Sequence, residues 1–256
     1  MKFQQKKGVT RLTDCFQQPP LKASRALYLD DKEKATVYLM ESSGGMVAGD
    51  RNDYEIHVRE HANVCLLQQS AMKVYPSWNE RSCTQNVSVQ IDHKACLEWK
   101  PEAVIPFKEA KFSGDTMIQM KRDSTLLWGE IISPGREKRN ECFHYDDFRT
   151  SFQIWVEEEC LAFDTLRLSP SSMSLKQIGL LEQSLYIGSL WFVSPEVQSI
   201  SIRDLNDKLE VSSSINPGVT SLEGKGIHIR WLASDLLQLK REMNKTWGDL
   251  IESKSV

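Results

Sequence analysis

The sequence has no long apolar run. No stretch approaches the roughly 18 consecutive apolar residues that a membrane-spanning helix needs, so no such helix is expected. It has no strong charge of either sign. A formal net charge of −3 gives nucleic acid or an anionic membrane surface little to attract. It has no CxxC pair, and its six cysteines (Cys15, Cys65, Cys83, Cys96, Cys142 and Cys160) are scattered along the chain. That spacing argues against a zinc knot and for reduced, mostly buried thiols in a cytoplasmic protein. The opening MKFQQKKGVTRLTDC carries positive charge with no apolar core behind it, so it does not read as a signal peptide. HExxH and GxSxG are missing, and no cysteine has a nucleophile's local signature, so nothing points to an enzyme. There is no internal repeat, low-complexity tract or linker, and residues 1–256 read as one domain.

What is present is a succession of short apolar stretches separated by turn signals. Residues 35–40, 54–60, 62–69, 84–91, 95–99, 115–123, 124–132, 149–157 and 159–168 each fit a strand. In NVSVQI, Val87, Val89 and Ile91 share one face while Ser88 and Gln90 point the other way. The same reading extends to 197–204, 207–215 and 226–233. The expectation is an all-β core of many short strands in layered sheets, β-helix-like or sandwich-like, with about two helices in the last third. One helix is expected over 234–254, where Leu236, Leu239, Met243, Trp247 and Leu250 form a stripe, with Ser234 as N-cap. A shorter one is expected within 169–184, after Pro170.

ESSGGMVAGD (41–50) packs three glycines and a terminal acid behind a strand. A phosphate loop needs Lys and Ser/Thr after its last glycine, whereas Gly49 is followed by Asp50 and Arg51. Gly44, Gly45 and Gly49 therefore read as shaping a tight turn or a close strand approach. Asp50 reads either as a turn carboxylate bonding its own backbone or as an acid placed for a purpose. His57 and His61 could share a strand face, but no third ligand accompanies them. His228 and Arg230 share a strand face that is either a polar interior or the solvated side. Pro101 and Pro106 cannot both lie inside paired central strands, so 97–110 is expected to leave a strand irregularly.

Taken in order, QPPLKASR (18–25), SSGGMVAGD (42–50), QQSAMKVYPS (68–77), LEWKPEAVIPFKEAKFSG (97–114), EIISPGREKRNECF (130–143) and GKGIHIRWLA (224–233) resemble the UreD/UreH family of urease accessory proteins. The resemblance implies a non-enzymatic scaffold that binds apo-urease and UreF, which recruits the GTPase UreG. It also implies an internal path for Ni²⁺, with nickel as transient cargo and no tightly bound cofactor. Asp50 matches the family's Gly-Asp acid and is expected to line that path, together with Glu98 and Glu141. Lys73, Tyr75 and Arg136 match positions expected to be structural or interfacial. GREKRNE departs from the family's pattern, in which a small residue and a glycine follow Gly-Arg before the glutamate. The alternative is an interaction module that alters urease conformation without conducting metal.

Overall fold

The computed structural model describes residues 1–29, 32–78 and 80–252. A hairpin opens the chain, β1 (Lys2–Lys6) and β2 (Val9–Asp14), and a short β3 (Leu21–Ala23) follows. The chain then winds in coils that pass alternately through two facing sheets. The first coil runs from β4 (Ala35–Glu41) to β5 (Arg51–Val58). The second runs from β6 (Asn63–Gln68) through β7 (Met72–Val74) to β8 (Cys83–Ile91). The third runs from β9 (Cys96–Trp99) through β10 (Ala103–Pro106) to β11 (Lys111–Met120). The last runs from β12 (Thr125–Ile132) through a small hairpin, β13 (Gly135–Arg136) and β14 (Glu141–Cys142), to β15 (Asp147–Val156).

Strands of successive coils pair in parallel, as a crossover connection requires. The smaller sheet contains β5, β8, β11 and β15, and the larger contains β4, β6, β9 and β12. Chemistry recurs where a coil turns. Val58, Ile91, Met120 and Val156 bury the end of one sheet, and Ala62, Ala95 and Ser124 sit buried at the start of the next strand. Small residues there let the turns stack, so that Asp92 N–H donates to Val58 O and Lys121 N–H to Ile91 O, at 2.9 and 3.0 Å. The repeat is one of backbone and side-chain size. Coils of unequal length and different residues hide it in the sequence.

The remaining elements close this frame. β16 (Glu159–Leu168) extends the smaller sheet, while β17 (Tyr186–Val193), β18 (Ile215–Leu222) and β19 (Gly226–Ala233) extend the larger one. Helices α1 (Ile202–Lys208) and α2 (Leu236–Glu252) lie over the larger sheet's outer face. Leu239, Met243, Trp247 and Leu250 of α2 are buried there, as their spacing predicts. The cap is one residue later than expected: Asp235 Oδ1 accepts from Gln238 N–H at 2.7 Å. Residues 253 and 254 of the expected helix lie outside the described residues.

Three expectations are corrected. Residues 197–204 are not a strand. Ser194 and Ser201 accept from Glu196 and Asp204 N–H and start a 3₁₀ turn and α1, so capping overrides the apolar alternation. Residues 207–214 are the end of α1 and a turn rather than a strand, and β18 begins only at Ile215. Residues 169–184 form successive turns rather than a helix, and they bury Leu175 and Leu181. Strand β17, for which the sequence raised no expectation, is buried at every position. Among the described residues, no helix is long and apolar enough to cross a membrane.

Candidate functional site

A row of rings runs through the largely aliphatic core between the sheets. Trp99 stacks on Trp128 at 4.4 Å, Phe152 on Trp191 at 4.0 Å, and Trp191 on His228 at 4.7 Å. His228 and Arg230 therefore face a partly polar interior. Burial pulls the His228 imidazole down to about 4. Arg230 donates to Ser189 Oγ at 3.2 Å and pairs with Asp164 across the two sheets.

Beside this row the packing opens into a cavity of about 60 Å³, with Gln68, Gln85, Glu102, Thr116, Glu130 and Ser151 among its lining residues. Polar side chains from both sheets converge on it. Gln85 Oε1 is buried without a hydrogen-bond partner among the described residues, which is the setting in which ordered water is expected. Glu130 accepts from Trp128 Nε1 at 3.2 Å. Burial pushes its carboxyl up to about 7, with nearby Asp164 adding to the shift and Arg230 opposing it.

A second space, also about 60 Å³, lies under the glycine loop and is lined by Glu41, Gly44, Gly45, Tyr54, Gln68 and Lys73. Gln68 belongs to both cavities. Leu39 and Tyr54 line both the second one and an outer groove of about 570 Å³ beside residues 15–23. Burial holds the Glu41 carboxyl above its usual range, and Asp50 adds to that shift. Shared lining residues place the groove, the space beside Glu41 and the inter-sheet cavity with Glu130 and Glu102 next to one another.

Gly44, Gly45 and Gly49 all take positive φ. At Gly45 a Cβ would lie 2.7 Å from the Tyr75 ring and 2.8 Å from Lys73 O, so only glycine lets the loop meet β7. Lys73 and Tyr75 are the neighbours that require it: Met46 N–H donates to Lys73 O, and Tyr75 N–H to Met46 O, both at 2.8 Å. Lys73 itself is exposed.

The structure does not bring the three expected carboxylates together. Asp50 is half-buried and accepts from Val47 N–H at 2.8 Å, closing its own turn next to Glu41 and outside the lining of the inter-sheet cavity. Glu98 lies on the opposite face of the larger sheet, buried under α2. It accepts from Lys34 Nζ at 3.2 Å and Trp247 Nε1 at 3.3 Å. Burial alone would lower the Lys34 ammonium, but Glu98 outweighs it and the group is held above its usual value. Glu141 is held by Arg136 through two bonds of 2.7 Å, which keep its carboxyl below the usual range. Arg136 also lies 4.2 Å from the centre of the Phe107 ring. His57 and His61 form no pair, since His57 bonds Asp92 at 3.1 Å and His61 occupies an exposed turn. Among the described residues, no three His, Cys, Asp or Glu side chains converge as a metal site.

Glu41, Gln68, Gln85 and Glu130 escaped sequence reasoning. Each lies in or beside a strand without a metal-ligand motif around it, and only the alternation in WGEII, with Trp128, Glu130 and Ile132 on one inward face, could have marked Glu130.

Comparison with known proteins gives the context of this geometry. The family model described as UreD urease accessory protein matches residues 1–254. A urease accessory protein UreD of Sporosarcina pasteurii is 49% identical over 251 residues, covering 97% of this chain and 98% of that relative. The UreD of Lysinibacillus sphaericus (strain C3-41) is 49% identical over 250 residues, covering 98% and 93%. That of Halalkalibacterium halodurans is 36% identical over 244 residues, covering 94% and 89%. The match spans the coils, the glycine loop, both cavities and the helix that covers Glu98, and the chain belongs to the UreD family of urease accessory proteins.

Proposed function

We propose that this chain serves urease maturation as a scaffold that binds apo-urease and a UreF–UreG complex and gives Ni²⁺ a water-lined way between its sheets. The observation that carries this reading is the succession of polar spaces through an otherwise apolar interior, from Glu41 through Gln68 to Glu130 and Glu102. Separated carboxylates and amides suit passage. Hard oxygen donors with water hold Ni²⁺ loosely, whereas clustered thiolates or imidazoles would retain it. Nickel is the cargo here, and no catalytic step is assigned to the chain. Glu130 and Glu41 replace Glu98 and Glu141 as the acids best placed on the way, because both of the latter already neutralise a fixed cation. Asp50 keeps a place beside Glu41 at the outer end.

The test is Glu130→Gln in a maturation reaction at limiting Ni²⁺, with urease nickel content measured directly. A several-fold loss of incorporated nickel is expected, and an unchanged content removes the route. The packed aromatic row favours a second reading, an interaction module that conducts no metal. That module predicts normal nickel loading in Glu130→Gln as long as the chain still co-purifies with urease.

A further inference from the structure

The hydrogen-bonded ladder of the larger sheet is interrupted at one place beside the inter-sheet cavity. Strand β12 pairs with β9 as far as Trp128 and Trp99, and resumes with β10 at Ile131 and Ala103. Between these points Lys100, Pro101 and Glu102 face only Gly129 and Glu130, so one extra residue bulges out of the sheet. Pro101 has no N–H with which to close the gap. Gly129 leaves room for the Pro101 ring to pack against it, since a Cβ there would lie 2.8 Å from that ring. Glu102 occupies the break. It lines the cavity, and its Oε1 also accepts from Lys240 Nζ of α2 at 2.5 Å.

We propose that this break is a second mouth of the cavity, opening beneath α2, and that Lys240 closes it as a cationic latch on Glu102. The proposal rests on the cation route described above and adds where one end of it opens and what controls it. A divalent cation reaching Glu102 meets an ammonium already paired with the carboxylate and must displace it. The latch is built to release. Lys240 and Glu102 side chains are 33% and 23% exposed, so water competes for both, and lysine's flexible stem swings without moving its backbone. The helix beneath it stays in place, because Leu239 and Met243 pack on Gly188 and Trp247 bonds Glu98. Other charges near this mouth are Glu130 inside the cavity and, on the outer face, Glu98 with its partner Lys34, and Lys100. Lys100 lies over the Trp247 ring at 4.4 Å.

The experiment matures apo-urease at limiting Ni²⁺ with accessory complexes carrying the wild-type chain, Lys240→Met, Lys240→Arg or Glu130→Gln, and measures the initial rate of nickel incorporation. Lys240→Met keeps the stem and removes the charge, and it is expected to raise the rate about threefold, the scale of one partly exposed ion pair. Lys240→Arg retains the latch and stays near the wild-type rate, while Glu130→Gln slows incorporation. A purely structural lysine would leave the rate unchanged or lower it. Equal or slower incorporation by Lys240→Met, with Glu130→Gln impaired, overturns the latch and leaves the route standing. A wild-type rate for Glu130→Gln overturns the route and the latch with it.

Discussion

Trp128 donates its indole N–H to Glu130 Oε1 at 3.2 Å, so a buried ring two residues back along β12 holds the carboxylate at the cavity wall. The bond is the one direct hydrogen bond that the Glu130 carboxylate receives among the described contacts.

Glu130→Gln should alter stability in a pH-dependent way. The folded carboxyl is raised to about 7, against an unfolded value of about 4.3. The folded state therefore binds the extra proton, and ionising Glu130 weakens the fold as pH rises through this window. Below about pH 4 the variant and wild type should unfold alike. Between there and pH 7 the variant gains, reaching an advantage of about 1–3 kcal/mol above pH 7. Urea unfolding of both chains across pH 5 to 8 reads the difference, and a gap that does not grow with pH contradicts the burial assigned to Glu130.

Asp50 has two separable jobs to test. As a turn acceptor for Val47 N–H, it is replaced well by asparagine and poorly by alanine. As a charge beside Glu41, it is replaced by neither. Asp50→Asn should keep the unfolding temperature while Asp50→Ala lowers it. Nickel incorporation at limiting Ni²⁺ then shows whether the charge itself is used, since only in that case do both variants fall together.

Glu98 should prove structural. Glu98→Gln leaves Lys34 without its counter-ion under α2, and a loss of about 1–3 kcal/mol in unfolding free energy is expected. Nickel delivered per folded molecule should match wild type. Delivery that falls further than the folded fraction would return Glu98 to the route.

Gly45→Ala should be among the most damaging small changes in the chain. The new methyl meets the Tyr75 ring and Lys73 O below 3.0 Å at φ +149, so the loop must leave β7. A loss of about 2–4 kcal/mol follows from strain and lost pairing. Gly44→Ala, with open space around its Cβ, should cost much less, and comparing the two thermal unfolding curves checks the assignment.

Much of this fold is legible in the residues because strands announce themselves locally. Val87, Val89 and Ile91 alternate with polar neighbours and do point inward. The α2 stripe is equally plain, since Leu239, Met243, Trp247 and Leu250 recur at helical spacing and are buried together. Order fails where local chemistry competes. Around residues 194–204 serine caps defeat an alternating pattern, and β17 alternates nothing because both its faces are covered.

By itself the sequence determined the β-rich architecture, the glycine loop whose backbone only glycine can follow, and the ordered motifs that mark a UreD protein. Tertiary structure alone decided which acids share a space. Glu98 and Glu130 occur in neighbouring strands, yet strand alternation sends Glu98 outward to Lys34 and Trp247 and Glu130 inward to the cavity. Glu102 and Lys240 lie far apart in the chain and meet only because α2 crosses a break in the sheet. Pairing register and helix docking are long-range properties, and no local pattern of residues encodes them.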